Sequence, residues 1–211
     1  MTELAFESIV RAPNLKPGKL AHPAGESSAD RRKTTFVGML MALASWTMLF
    51  ASLFFAYAVL RLKAPTWPPD GAATLPRLLP AFNTLLMILS SFVLHRGVKA
   101  GSSERRLLLK SLAGTIALGT LFLLLQLAVW VPLWRSGFRI DSGIYGSIFY
   151  GLTVFHALHV LAGLIALVAL ALRARRGLVT SGRRNAVRMT AMFWHFVDAV
   201  WVLLFVVVYL V

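Results

Sequence analysis

The stretch that decides the fold is residues 189–211, MTAMFWHFVDAVWVLLFVVVYLV. As a helix it extends ~35 Å at ~1.5 Å per residue, enough to cross a bilayer core of ~30 Å. His195 and Asp198 lie inside this field of Val, Leu and Phe. A carboxylate near mid-membrane costs roughly 2.5–3.5 kcal/mol even on lenient insertion scales. Asp198 is therefore expected to be neutralised, hydrogen-bonded or turned toward a protein interior, which other helices must build.

Four further apolar runs supply those helices, at about 34–60, 78–95, 107–134 and 142–172. Pro80 sits in the first turn of the second run, where its missing amide costs little. The loop 64–77 carries Pro and Gly that stop a helix, with Trp67 at interface depth. Gly143, Ser147 and Gly151 recur every four residues and predict a face of close helix contact, while Gly38 and Gly114 read as packing glycines. Residues 1–33 mix Pro, Gly and scattered charge without an apolar period, which predicts an irregular cytoplasmic arm. This polar lead is too long for a signal peptide. The fold class is thus an all-α integral membrane protein: an irregular arm at 1–33, then a bundle of five transmembrane helices over 34–211.

The chain has 211 residues, 58% of them hydrophobic, and a formal net charge of +14. Its basic residues fall in short segments between apolar runs, so membrane topology accounts for them and a nucleic-acid partner is not expected. Of 22 Lys and Arg, seventeen lie on the side of the N-terminus and five, Arg61, Lys63, Arg77, Arg135 and Arg139, on the other. The positive-inside rule then places the N-terminus in the cytoplasm and the C-terminus outside. The absence of cysteine excludes disulfides, thiolate metal sites and thioether haem attachment.

Four polar positions in the spans, with two tryptophans beside them, point to chemistry or to helix contact. His156 and His159, at i and i+3, share a helix face that Gly163 continues. Trp194, Asp198 and Trp201 form a stripe at i, i+4 and i+7, with His195 beside it. His159 lies ~20 Å and Asp198 ~15 Å from the cytoplasmic ends of their spans, at ~1.5 Å per residue. The expectation is a polar knot of His156 or His159 with Asp198 and His195 between the fourth and fifth spans. Such a knot has three readings: a lock between two helices, a part in proton or lipid handling, or a metal site. The i, i+3 histidine spacing and the lack of Glu in the span interiors argue against metal ligation.

The segments FHALHVLAG (155–163) and FWHFVDAVWVLLF (193–205) closely resemble the haem-copper oxidase subunit III family, that is, cytochrome c oxidase subunit 3. In the family's order come WPP (67–69), NTLLMILSS (83–91) with Asn83, FLLLQ (122–126) with Gln126, and YGSIFYGLTVFHALH (145–159). The resemblance fits the five-helix bacterial form. It implies a non-catalytic subunit of the bacterial plasma membrane that packs with the haem- and copper-bearing subunit I and with subunit II. It also implies that the chain binds structural phospholipid, supports proton uptake during oxygen reduction and holds no redox centre itself. Where many relatives carry a membrane-embedded Glu, this chain has Ser45, Trp46 and Thr47, and no Glu follows Gln126 at Val129. Those substitutions argue against a proton reservoir at these two places. Alternative readings are a subunit III-like partner of a nitric oxide reductase or quinol oxidase, and a free-standing proton channel or transporter.

Overall fold

The computed structural model describes residues 28–68, 75–100, 104–177 and 184–210. Five helices follow in order: α1 (Ser28–Lys63), α2 (Leu78–Ala100), α3 (Arg105–Arg135), α4 (Ile144–Arg175) and α5 (Arg184–Phe205), the last running into a π-helical turn, Val206–Leu210. Among the described residues there is no strand. All five helices are long and apolar enough to cross a membrane.

The chain divides into two units, Met1–Thr35 and Phe36–Val211. In the first unit the described residues are helical from Ser28, so the end of the expected irregular arm is helix instead. Asp30 in the first turn favours that start, because an acid there complements the helix dipole. The rest of the arm lies outside the described residues. The fifth helix also begins earlier than its apolar run, at Arg184 rather than 189, since the basic segment 184–188 continues the helical turn beyond the apolar core.

Within the second unit, α5 is the element against which the others are arranged. Val187, Trp194, Trp201 and Val208 recur every seven residues, and all are buried. This is the period that keeps one face of a helix turned to its neighbours. Trp194 and Trp201 are both 0% exposed. The Trp194 indole lies where α3 and α4 have only glycine to offer. A Cβ added at Gly119 would come 2.6 Å from its Cη2, and one at Gly163 would come 3.0 Å from its Cε3. Trp201 meets Phe122 of α3 edge to face at 4.7 Å. Packing of this kind must carry helix association in lipid, where there is no hydrophobic drive between helices.

The remaining contacts complete a four-helix core. Gly97 brings α2 so close to α3 that a Cβ would collide with Ser111, and Gly114 rests against Val93. At the opposite end of the bundle α3 turns into α4 through Gly137 and Gly143, both at positive φ. Arg105, at the start of α3, donates from Nε to the Ala174 carbonyl at 3.0 Å and from Nη2 to the Arg175 carbonyl, tying the start of α3 to the carbonyl end of α4. By contrast, only 6% of the apolar window of α1 is buried, against 33–50% for the other four helices, so α1 is peripheral. It is fastened by rings: Trp46 to Phe193 at 5.0 Å and to His159 at 5.4 Å, and Phe50 to His159 at 5.2 Å.

The stripe Gly143, Ser147 and Gly151 does not make the close contact its spacing predicts. Nothing lies within 4 Å of a Cβ placed at Gly143 or Gly151, and Ser147 is exposed. Gly38 is open in the same way. Small residues permit approach, but they draw a neighbour close only where a large side chain such as Trp194 faces them.

These contacts separate two kinds of glycine by a measurable cost. Gly119→Ala should lower the unfolding temperature in mild detergent by several degrees, because the indole has no room to retreat. Gly151→Ala should leave it unchanged or slightly higher, given the open space and the better helix propensity of Ala. Equal effects of the two substitutions would contradict the wedge.

Candidate functional site

The polar side chains that α2 turns inward define the site. Asn83, Thr84 and Ser90 are buried and Ser91 is half-buried. Asn83 and Ser90, like Thr84 and Ser91, are seven residues apart, so they form a strip along one side of the helix. The strip runs antiparallel to α5 and is read by it in two steps. Trp194 Nε1–H donates to Ser90 Oγ at 3.0 Å, and Trp201 Nε1–H donates to Thr84 Oγ1 at 3.1 Å. The α2 hydroxyls that receive them are themselves tied back to their own helix, Thr84 to the Pro80 carbonyl and Ser90 to the Met87 carbonyl. The indole N–H groups of Trp194 and Trp201 thus each have a fixed acceptor, as burial of such a donor favours.

Next to this seam lies the acid. Asp198 is 9% exposed, and it is the only Asp or Glu within the five spans. The Ser91 hydroxyl faces both the Asp198 carboxyl group and the His195 ring, whose Nδ1 lies 3.1 Å away. A hydroxyl has one hydrogen to give. When Ser91 donates to the carboxylate it accepts from Nδ1–H of His195, which leaves the lone pair of that ring on Nε2. The exposed His95 ring, one helical turn closer to the end of α2, is 6.2 Å from His195 between centroids. His95, His195, Ser91 and Asp198 therefore form a row of polar groups leading from a helix end into the bundle.

The two α4 histidines are placed elsewhere. His156 is 1% exposed and lies among rings, with Trp201 at 5.2 Å, Phe122 at 6.1 Å and Phe50 at 6.4 Å, and neither ring nitrogen has a hydrogen-bond partner in the chain. His159 is half-buried beside Trp46 and Phe50. Its Nδ1–H donates to the Phe155 carbonyl at 2.7 Å. The structure thus brings His195 and Asp198 together through Ser91 but does not join His156 or His159 to them, so the single four-residue knot is not formed. His156 packs instead on the Trp201 ring and His159 on Trp46 and Phe50 of α1, whereas His195 reaches Ser91 of α2.

A second polar contact lies deeper toward the loop 64–77. Asn83 Nδ2–H donates to Gln126 Oε1 at 3.4 Å, joining α2 and α3 in the buried interior. The buried Tyr209 hydroxyl approaches Gln126 without completing a hydrogen bond. Among the described residues no group of three or more His, Cys, Asp or Glu is arranged to hold a metal ion. Ser91, Ser90 and Thr84 were the partners that pattern reading did not single out, although their spacing of six and seven along α2 parallels the seven-residue spacing of the two tryptophans.

Comparison with known proteins places this geometry in context. The family model described as cytochrome c oxidase subunit III matches residues 21–211. Cytochrome c oxidase subunit 3 of Synechocystis sp. is 36% identical over 175 residues, 82% of this chain and 74% of that protein. The protein of the same name from Thermostichus vulcanus is 35% identical over 176 residues, covering 82% and 86%. A probable cytochrome c oxidase subunit 3 of Mycobacterium leprae is 37% identical over 186 residues, covering 87% and 91%.

The Ser91 bridge distinguishes two replacements of the acid. Asp198→Asn keeps an acceptor for Ser91, whereas Asp198→Leu strands two polar groups in the bundle at a cost of about 1–3 kcal/mol. The amount of folded chain in membranes should fall markedly more for Leu than for Asn; equal amounts would count against a buried partner for Asp198.

Proposed function

The chain belongs to the cytochrome c oxidase subunit III family, and we propose that it serves as the non-catalytic third subunit of a respiratory haem-copper terminal oxidase in a bacterial plasma membrane. The observation that carries this reading is the extent of the match, which spans all five helices and both motif-bearing segments, 155–163 and 193–205. In this role the chain packs with subunits I and II, where haem and copper reside, and reaches no redox chemistry itself. Its contribution is a rigid intramembrane surface, which the Trp194 and Trp201 seam provides.

The distribution of basic residues supports a cytoplasmic N-terminus and an external C-terminus. In that orientation the exposed His95 stands at the cytoplasmic ends of the helices, and the row through His195 and Ser91 ends at Asp198. Each of these side chains can hold or pass a proton, so the row is the part of the chain best suited to support proton uptake by the complex. In the first helix, where the resemblance implies a Glu in many relatives, Trp46 packs on Phe193 and His159. Any acid-based function inside the membrane therefore falls to Asp198.

Two experiments test the reading. Purification of the tagged chain from its native membrane in mild detergent should yield haem absorption bands and oxygen uptake in the pool, and a colourless chain after stripping. A colourless, solitary protein would overturn it. Because the chain has no cysteine, single replacements report topology directly. Ser142→Cys should react with a membrane-impermeant maleimide in intact cells and Glu104→Cys only after permeabilisation; the reverse pattern would invert the orientation.

A further inference from the structure

Three buried polar side chains at one end of the bundle leave hydrogen-bonding atoms without a partner in the chain. Asn83, Gln126 and Tyr209 are 0%, 1% and 3% exposed. Asn83 Nδ2–H donates to Gln126 Oε1, while Asn83 Oδ1, Gln126 Nε2 and the Tyr209 hydroxyl have no partner. Each amide thus meets the other with one end only, which leaves an acceptor on α2 and a donor on α3. Turning both amides by half a rotation exchanges their roles and again leaves one donor and one acceptor. Turning one alone sets like atoms against each other. Neither arrangement pairs every group.

Tyr209 approaches the amides from the π-helical turn Val206–Leu210. Such turns are rare and occur frequently at functional sites. The same residue lines a cavity of about 380 Å³, whose wall includes Tyr57, Arg61, Trp67, Arg77 and Tyr145. Trp67 Nε1–H donates to the Tyr57 hydroxyl at 3.2 Å, which fixes one side of that wall. Two guanidinium groups and three phenols make a surface that water wets. Because the Tyr209 hydroxyl is itself buried, its ring stands as a partition between this cavity and the amide pair.

From these orphaned groups we infer that Asn83, Gln126 and Tyr209 form a binding site for one water molecule, admitted from the cavity past the Tyr209 ring. The water donates to Asn83 Oδ1, accepts from Gln126 Nε2–H and shares a third hydrogen bond with the Tyr209 hydroxyl. That matches the about three hydrogen bonds that a buried water makes. None of the three side chains carries a charge, which suits a neutral ligand over an ion. An apolar occupant would leave all three groups unpaired, and that costs more than immobilising one water. Bound there, the water joins α2, α3 and the end of α5 through a single polar contact. The inference needs neither the orientation of the chain nor the identity of its partner subunits.

The test uses the tagged chain purified in mild detergent with whatever subunits accompany it, and has two arms. In the first, a density map in which ordered waters are resolved should show one within hydrogen-bond distance of Asn83 Oδ1, Gln126 Nε2 and the Tyr209 hydroxyl. In the second, a brief X-ray pulse converts bound water to hydroxyl radical, and mass spectrometry reads which side chains are oxidised. Tyr209 should be labelled, and Phe122, which is 0% exposed, should not. The double variant Asn83→Leu with Gln126→Leu should lower the Tyr209 label about tenfold, as loss of two hydrogen bonds to the water implies. Tyr57 and Tyr145, on the cavity side, should keep theirs. A map that resolves the three side chains with no density between them overturns the proposal. So does a Tyr209 label that is absent from the wild type or persists in the double variant, since it would then come from the cavity alone.

Discussion

The bundle depends on the Trp194 indole, closed between the glycine backbones of α3 and α4 and hydrogen-bonded to Ser90 of α2. One side chain of α5 thereby fixes its distance from three other helices. Trp201 repeats the arrangement two turns on, with Phe122 and His156 as its walls and Thr84 as its acceptor. Lipid tails are as apolar as leucine, so helices in a membrane gain nothing by hiding apolar surface from water. A large ring that finds both close packing and a hydrogen-bond acceptor supplies the preference that burial alone cannot.

The same seam explains how the chain tolerates an acid among its spans. The row of hydroxyls on α2 serves both the tryptophans and, through Ser91, the pair His195 and Asp198. Structural and chemical roles are therefore joined on one face: the groups that position α5 stand beside the groups able to handle a proton. The α4 histidines take a different part, filling an aromatic layer under α1. Because α1 is attached through that layer and is otherwise exposed, its outer face remains available to lipid or to another subunit.

Much of this was legible in the sequence, and the limits have a physical cause. Hydrophobic run length gave the five spans, since the bilayer sets the number of apolar residues a helix needs. Helical periodicity placed Trp194, Asp198 and Trp201 on one stripe. Asn83 and Gln126 stood out as amides in apolar spans, and they meet. What periodicity leaves open is which neighbour a given face meets. The depths of His159 and Asp198 were compatible with contact, yet their azimuths point to different helices. The glycines show the same limit: Gly143 and Gly151 have the spacing of a contact face and remain open, while Gly119 and Gly163 form the wedge because Trp194 fills them. The start of α1 at Ser28 was obscured by composition, since a polar first turn of helix resembles an irregular arm.

The most direct test of the account is a double-mutant cycle between α5 and α2, combining Trp194→Phe with Ser90→Ala and reading thermal stability in mild detergent. If the indole N–H and the serine hydroxyl act as one contact, the double variant should lose less than the two single losses together, by about 0.5–1.5 kcal/mol. Strict additivity would show that Trp194 holds the bundle by volume alone and would contradict the hydrogen-bonded seam on which this description of the subunit is built.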